Sequence, residues 1–299
     1  MDSGKDAGGF GGHTEVGPLK RVVLKHPKEA FPPEDVLNSQ WRELGYHRKP
    51  DPSRASEEHD ALMELLESLG AQVHLLPTHP GTGMDSIYSR DASILSDDGI
   101  ILCNMGKRAR SREPRAQEET FRSMGIPIHG RIDGEGRLEG GDLIWLDQDT
   151  VVVGRGYRTN DEGIRQLREF LGQRGSQVTV VPLPHWKGPS DVFHLMSVIS
   201  PIDTDLALVY SPLLPVPFRE LLLSRGISLV EVPEGEFDSM GCNVLAVAPR
   251  VCVMLDGNPV TRKRLEDSGV EVHTYRGEEI SAPGEGGPTC LTRPLLREI

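Results

Sequence analysis

"LMELLESLGAQVHLLP", residues 62–77, decides the fold. Its first half has the apolar spacing of an amphipathic helix, its second half is a short apolar strand, and Gly70 stands between them. A glycine belongs there because helices commonly end in a left-handed residue that only glycine adopts without strain. The same junction recurs in "EETFRSMGIPIHGRI" (118–132), "LREFLGQRGSQVTVVPL" (167–183), "RELLLSRGISLVEVP" (219–233) and "KRLEDSGVEVHTY" (263–275). The glycines are Gly70, Gly125, Gly175, Gly226 and Gly269, spaced 55, 50, 51 and 43 residues apart. Self-similarity at such a period is the mark of a repeat architecture.

Between these junctions lies a second unit. "ASILSDDGIILCNM", "DLIWLDQDTVVVGRG", "VISPIDTDLALVYSP" and "NVLAVAPRVCVMLDGN" each place a turn cluster between two apolar runs, the signal of a hairpin. "LKRVVLKHP" (19–27) reads as a strand of the fifth unit, split between the two ends of the chain. The repeat is hairpin, helix, strand, five times over. One such unit cannot bury both its sheet and its helix, whereas five in a ring can, with helices outside and sheets around an axis. A linear solenoid is the competing architecture, but it needs polar capping repeats and none is visible. The expectation is an α/β ring over residues 14–299 as one catalytic domain, preceded by a loose, Gly-rich tail over residues 1–13.

The chain has 299 residues, 37% hydrophobic and 26% charged, the balance of a globular protein. No run approaches the length of a membrane span, and "MDSGKDAGGFGGH" lacks the regions of a signal peptide. A cytoplasmic protein is expected. The four cysteines, at 103, 242, 252 and 290, show neither CxxC spacing nor a disulfide framework. The net charge of −12 argues against a nucleic-acid partner. The expected partner is a small molecule, and a homodimer is left open.

Four stretches carry chemistry. Asp91 opens a hairpin in "YSRDASIL". Glu139 and Asp142 flank a glycine pair in "RLEGGDLIWL", where the backbone can pass close to another group. His194 precedes a hairpin in "DVFHLMSVIS", and a neutral imidazole there can serve as acid or base. Cys103 and Cys252 lie inside apolar strands and read as core, and Cys242 is ambiguous. Cys290, in "GEGGPTCLTRP", sits in a small-residue loop where neighbours can shape a thiolate. No HExxH or Cys/His metal spacing is present, and "GGFGGH" follows no strand, so it is not a dinucleotide fingerprint.

"SRD", "LEGGDLIWL", "GYRTN", "FHLMS" and "GGPTCLTRPLLR", in this order along nearly the whole chain, resemble the guanidino-group-modifying enzymes. That superfamily contains dimethylarginine dimethylaminohydrolase, arginine deiminase and the amidinotransferases. The resemblance implies a five-bladed, pseudo-fivefold α/β propeller, the pentein fold. It implies Cys290 as nucleophile, His194 as general acid and base, and Glu139 as the carboxylate that orients the imidazole. It further implies Asp91 as guanidinium ligand and Arg158 as holder of the substrate's carboxylate. No metal or organic cofactor is implied. Two departures stand out. Where arginine deiminases carry "HLD", this chain has Met196, which offers apolar contact and no acceptor. That favours an N-methylated arginine as substrate, with arginine deiminase or amidino transfer as alternatives and a non-catalytic binding module as the rival of another class. Where a second carboxylate-binding arginine is expected, Asn104 stands, and Arg110 of the basic cluster "KRARSREP" is the candidate replacement.

Overall fold

The computed structural model describes residues 9–172, 175–191 and 193–299. At Gly70 the backbone turns left-handed with φ +93°, and it does so again at Gly125 (+73°), Gly175 (+83°), Gly226 (+76°) and Gly269 (+79°). A Cβ added at any of the five meets no atom within 4 Å, so glycine is required there for its backbone and not for space.

Each of these turns feeds the third strand of a three-stranded sheet. The first sheet has β1 (Leu19–Leu24) and β2 (Gln72–Leu75), joined through helices α1 (Pro27–Ala30), α2 (Glu34–Glu43) and α3 (Pro52–Ser68). The second has β3 (Ser93–Ser96), β4 (Gly99–Leu102), α4 (Glu113–Ser123) and β5 (Ile128–Arg131). The third has β6 (Leu143–Trp145), β7 (Thr150–Arg155), α5 (Asp161–Leu171) and β8 (Gln177–Pro182). The fourth has β9 (Ile199–Asp203), β10 (Leu206–Val209), α6 (Val216–Ser224) and β11 (Ser228–Glu231). The fifth has β12 (Val244–Ala248), β13 (Val251–Leu255), α7 (Pro259–Asp267) and β14 (Glu271–Tyr275). The chain closes with α8 (Pro288–Leu291) and β15 (Arg293–Arg297), and β15 pairs antiparallel with β1, with Val23 opposite Arg293. The split unit expected from "LKRVVLKHP" is therefore present. In every sheet an antiparallel pair is followed by a parallel third strand reached through a helix, which is the only short route to parallel pairing.

The middle strands are apolar on both faces because each face has a neighbour. Alternate residues along a strand point to opposite sides. Val22 and Leu24 pack with Leu245 and Val253 of the fifth sheet, while Val23 and Leu295 pack with Leu95 and Ile100 of the second. Ile94 and Ile101 meet Leu143, Val151 and Val153 of the third sheet, whose Ile144 and Val152 meet Ile199 and Ala207 of the fourth. Ile202 and Leu206 then meet Val244 and Cys252 of the fifth. Each helix covers its own sheet with one stripe, as α5 does with Ile164, Leu167 and Leu171.

The loose tail expected over residues 1–13 needs correction for its described part, since residues 1–8 lie outside the described residues. Gly11 donates its N–H to Leu295 O (3.0 Å) and accepts from Arg297 N (3.0 Å), extending the first sheet. His13 is buried, its ring stacked on Trp145 at 3.8 Å. Its Nε2 accepts from Asp97 N, which leaves Nδ1–H to donate to Gln148 O. At Gly12 a Cβ would stand 2.4 Å from Arg297 O, so glycine is what lets this segment lie against β15. Among the described residues no helix is long and apolar enough to cross a membrane.

Candidate active site

The five units contribute to the site from one equivalent position, the turn entering the first strand of each hairpin. Asp91 precedes β3, Glu139 to Asp142 precede β6, and His194 precedes β9. Asn243 precedes β12, and Cys290 lies in the single-turn helix α8 before β15. These turns are tied together by main chain: Gly140 N donates to Asp91 O (2.9 Å), and Arg90 N to Cys290 O (3.1 Å).

His194 caps the 3-10 turn Leu195–Ser197, its own N–H held by Ser197 Oγ at 3.1 Å. Its Nε2 donates to Glu139 Oε2 at 2.7 Å, and its Nδ1 faces Asp91 Oδ1 at 4.0 Å. Glu139 is fully buried and accepts from Gly106 N (2.8 Å), Lys107 N (3.2 Å) and Arg158 Nη1 (2.9 Å) as well. Burial disfavours its charge, but Arg158 and His194 outweigh burial and hold the carboxyl well below its ordinary range. For His194, burial likewise opposes the charged form. The negative charges of Asp91 and Asp142 and the bond to Glu139 prevail and raise the imidazole to about 9. At neutral pH it is therefore an imidazolium with Nδ1–H pointing to Asp91.

Cys290 Sγ accepts from Asn243 Nδ2 at 3.3 Å, and Asn243 Oδ1 in turn receives Thr289 N and Oγ1. Burial pushes the thiol up, Asp91 adds to this, and the donors from Asn243, Thr289 and Gly287 pull the other way. Cys103, Cys242 and Cys252 are buried, their thiols raised by desolvation, and Cys290 alone of the four cysteines combines partial exposure with polar neighbours. Cys242, ambiguous in sequence, is core.

Two clefts meet at His194, Cys290 and Glu285. The first, of about 470 Å³, is lined among others by Asp85, Asp91, Lys107, Arg158, Tyr46 and Tyr88. The second has aromatic and sulfur-bearing side chains, among them Trp186, Phe193, Met196, Phe237 and Met240, beside charged ones such as Arg90, Asp191 and Asp238. Asp91 Oδ1 is buried without a hydrogen-bond partner among the described residues, an acceptor aimed at the place where the clefts join.

Arg110 departs from expectation. It is buried and holds Asp91 Oδ2 through Nη1 (2.5 Å), Glu113 through Nε and Nη2 (2.8 Å to Oε2), and Tyr88 O through Nη2 (2.8 Å). Its charge is engaged with two carboxylates, so it braces Asp91 and is not free to take a substrate carboxylate. Lys107, another residue of the same basic cluster, points to the cleft with Nζ 2.6 Å from Asp85 Oδ2. Asn104 turns away and donates to Gly136 O at 2.6 Å. Sequence reasoning passed over Asn243, although its place in the repeat matches those of Asp91, His194 and Cys290.

Ligand atoms of Asp91, Glu139 and His194 lie within 4.8 Å of one another. Arg158 and Arg110 already neutralise the two carboxylates, and a divalent cation there would face both guanidinium groups. The donor set suits a hydrogen-bonded acid–base pair and not a metal.

The family model for eukaryotic N,N-dimethylarginine dimethylhydrolase matches residues 31–297. The chain belongs to this family. Dimethylarginine dimethylaminohydrolases and arginine deiminases are both guanidino-group hydrolases of the guanidino-modifying superfamily, and both are found among the matches of this chain. Bacillus subtilis YkgA, an uncharacterised protein, is 32% identical over 287 residues, 95% of this chain and 94% of its own. An arginine deiminase of Limosilactobacillus reuteri is 28% identical over 254 residues, covering 72% of this chain and 62% of that enzyme, so the match spans less than two thirds of the deiminase. In structure, a Pseudomonas aeruginosa dimethylarginine dimethylaminohydrolase complexed with citrulline has a TM-score of 0.73 at 24% identity, covering 94% of this chain and 100% of that one. The amidinotransferase SxtG of Microseira wollei has a TM-score of 0.75 at 15% identity, covering 96% and 97%. At these identities the structural likeness speaks to the α/β fold.

Proposed function

We propose that this member of the dimethylarginine dimethylaminohydrolase family hydrolyses the guanidino group of N-methylated arginine, giving citrulline and methylamine or dimethylamine. The observation that carries the reading is the imidazole of His194, held between Glu139 and Asp91 where both clefts reach Cys290. The reading takes residues 14–299 as one cytoplasmic catalytic domain. It takes the five sheets as blades of a closed five-bladed propeller, supported by apolar clusters that run from each sheet to the next and return from the fifth to the first.

The substrate's amino-acid end lies in the first cleft, its carboxylate met by Arg158 and Lys107 and its ammonium by Asp85. Asp91 Oδ1 accepts a guanidinium N–H, and Arg110 keeps that carboxylate in place. A guanidinium beside Cys290 cancels the field of Asp91 and adds positive charge, so the thiol releases its proton to solvent as substrate binds. Sγ attacks the guanidinium carbon and forms a C–S bond as the C=N electrons move to nitrogen. His194 Nδ1–H protonates the departing nitrogen and the C–N bond breaks, leaving a thiouronium on Cys290. A water then gives one proton to Nδ1 and attacks the same carbon, and the C–S bond breaks to return the thiolate as the new hydroxyl loses its remaining proton to solvent and becomes the ureido carbonyl. Met196, buried on the wall of the second cleft, supports a methylated substrate because it offers that side no acceptor for N–H groups.

Product analysis with arginine, N-methylarginine and N,N-dimethylarginine tests the reading. Methylamine or dimethylamine release exceeding ammonia release from arginine is expected. The reverse order would assign the chain to the arginine deiminase activity of its other relatives.

A further inference from the structure

The second cleft has a composition that the removal of one or two methyl groups does not require. One of its walls holds Phe193, Met196, Phe237, Met240 and Cys242, with Trp186 at the mouth beside the Lys187–Asp238 ion pair. The cleft opens to solvent at that mouth, and its sheltered part has room for several water-sized groups. Trp186 holds φ +45°, a conformation that bulky residues rarely keep unless their surroundings enforce it. There its ring meets Phe237 edge-on at 5.9 Å, and Phe237 stacks on Tyr210 at 3.9 Å. The aromatic wall is thus a packed structure that reaches from the surface to the catalytic pair.

The position of the chamber names its occupant. Asp85, Lys107 and Arg158, which together fit an amino acid, lie in the first cleft, and the two clefts join at His194 and Cys290; in the second, Lys187 is paired with Asp238. A guanidinium carbon placed between them sends its side-chain nitrogen toward the first cleft. The departing nitrogen, which must lie beside His194, faces the second. Whatever that nitrogen carries enters a space where rings and thioethers form one wall, against which alkyl groups gain, while Asp191, Asp238 and Glu285 also line it.

We propose that this chamber is the subsite for the substituent on the departing nitrogen, and that the protein's substrates include guanidines whose N-alkyl group has three or more carbons. The proposal rests on the hydrolase reading above and extends it to a broader substrate class. The bond broken is the one between the guanidinium carbon and the alkylated nitrogen, and the products are citrulline and the alkylamine, with water as the only co-reactant.

The test uses the full chain with N-propyl-L-arginine, N-methyl-L-arginine and arginine, following kcat/KM and identifying the amine by mass spectrometry. The expected result is propylamine plus citrulline, at a kcat/KM within tenfold of that for the N-methyl substrate. Ammonia plus N-propylcitrulline would overturn the proposal, because the substituent would then sit on the retained nitrogen. Turnover of N-methylarginine without turnover of the propyl compound would also overturn it, while leaving the hydrolase reading intact. Turnover of none of the three would remove both. Met240→Trp locates the subsite: the ratio of propyl to methyl kcat/KM should fall at least fivefold, and an unchanged ratio in folded protein would contradict the assignment. Should that variant not fold, the amine released by the unaltered protein decides.

Discussion

Cys290 sits where burial and Asp91 both oppose its ionisation, and the imidazole meant to serve it is already protonated at neutral pH. Such a pair is ready to act as an acid and becomes nucleophilic when a cation arrives. Two outcomes follow at this scale. First, kcat/KM, which reports the free enzyme, should fall above about pH 9, where His194 loses the proton the departing amine needs. In Glu139→Gln the imidazole loses a negative neighbour, so its pKa drops and the falling limb moves to lower pH by a unit or more, with kcat reduced roughly 10²-fold or more. A pH–rate profile of citrulline formation checks both, and a limb that stays in place would remove Glu139 from its role. Second, Arg110→Ala leaves Asp91 and Glu113 buried without their partner. A loss of ~3–5 kcal/mol in denaturant unfolding is expected. A neutral result would mean that Arg110 does not brace Asp91.

The turn "EGGD" shows what an element contributes beyond its catalytic side chain. A Cβ at Gly141 would stand 2.7 Å from His194 Nδ1 and 2.8 Å from Asp91 Oδ1. Gly141→Ala should therefore push apart the two groups that flank the guanidinium, with kcat down about 10²-fold, as expected for a misplacement near 1 Å. The thermal midpoint should change little, and comparing the two readouts separates a local effect from a folding defect. Much of this level was legible in the sequence. The five junction glycines announce left-handed turns whatever surrounds them, and the apolar runs of the hairpins follow from strands covered on both faces. Asp91, Glu139 and His194 stand just ahead of strands, but their roles and that of Cys290 came from the resemblance of the motifs around them. Three features depended on tertiary reach and could not be read locally. Arg110 finds Asp91 across 19 residues of chain. Lys107 reaches Asp85, and the Gly-rich segment 9–13 docks on β15 with no periodicity to betray it. Asn243 is different: aligning the repeats puts it level with the other site residues, but a neutral amide carries no chemical signal of its own.

At the scale of the molecule, the C-terminal strand belongs to the first sheet, so the two ends of the chain complete one unit between them. Removing Arg293–Ile299 takes away Leu295 and the buried Arg293 and Arg297, and leaves β1 without its antiparallel partner. The loss should exceed the roughly 5–15 kcal/mol that holds a typical domain together. The truncated chain should show no cooperative thermal transition by circular dichroism, and a normal transition would mean that the first sheet does not need β15. The arrangement also explains how a thiol nine residues from the C-terminus joins an imidazole from the middle of the chain. The most direct test of that meeting is intact-mass measurement after a rapid acid quench with N-methylarginine. An added mass equal to a thiouronium adduct is expected in the unaltered protein, strongly reduced in His194→Ala, which lacks the acid for the departing amine, and absent in Cys290→Ser, which remains folded but inactive. Turnover retained by Cys290→Ser, or an adduct that persists in it, would contradict the account.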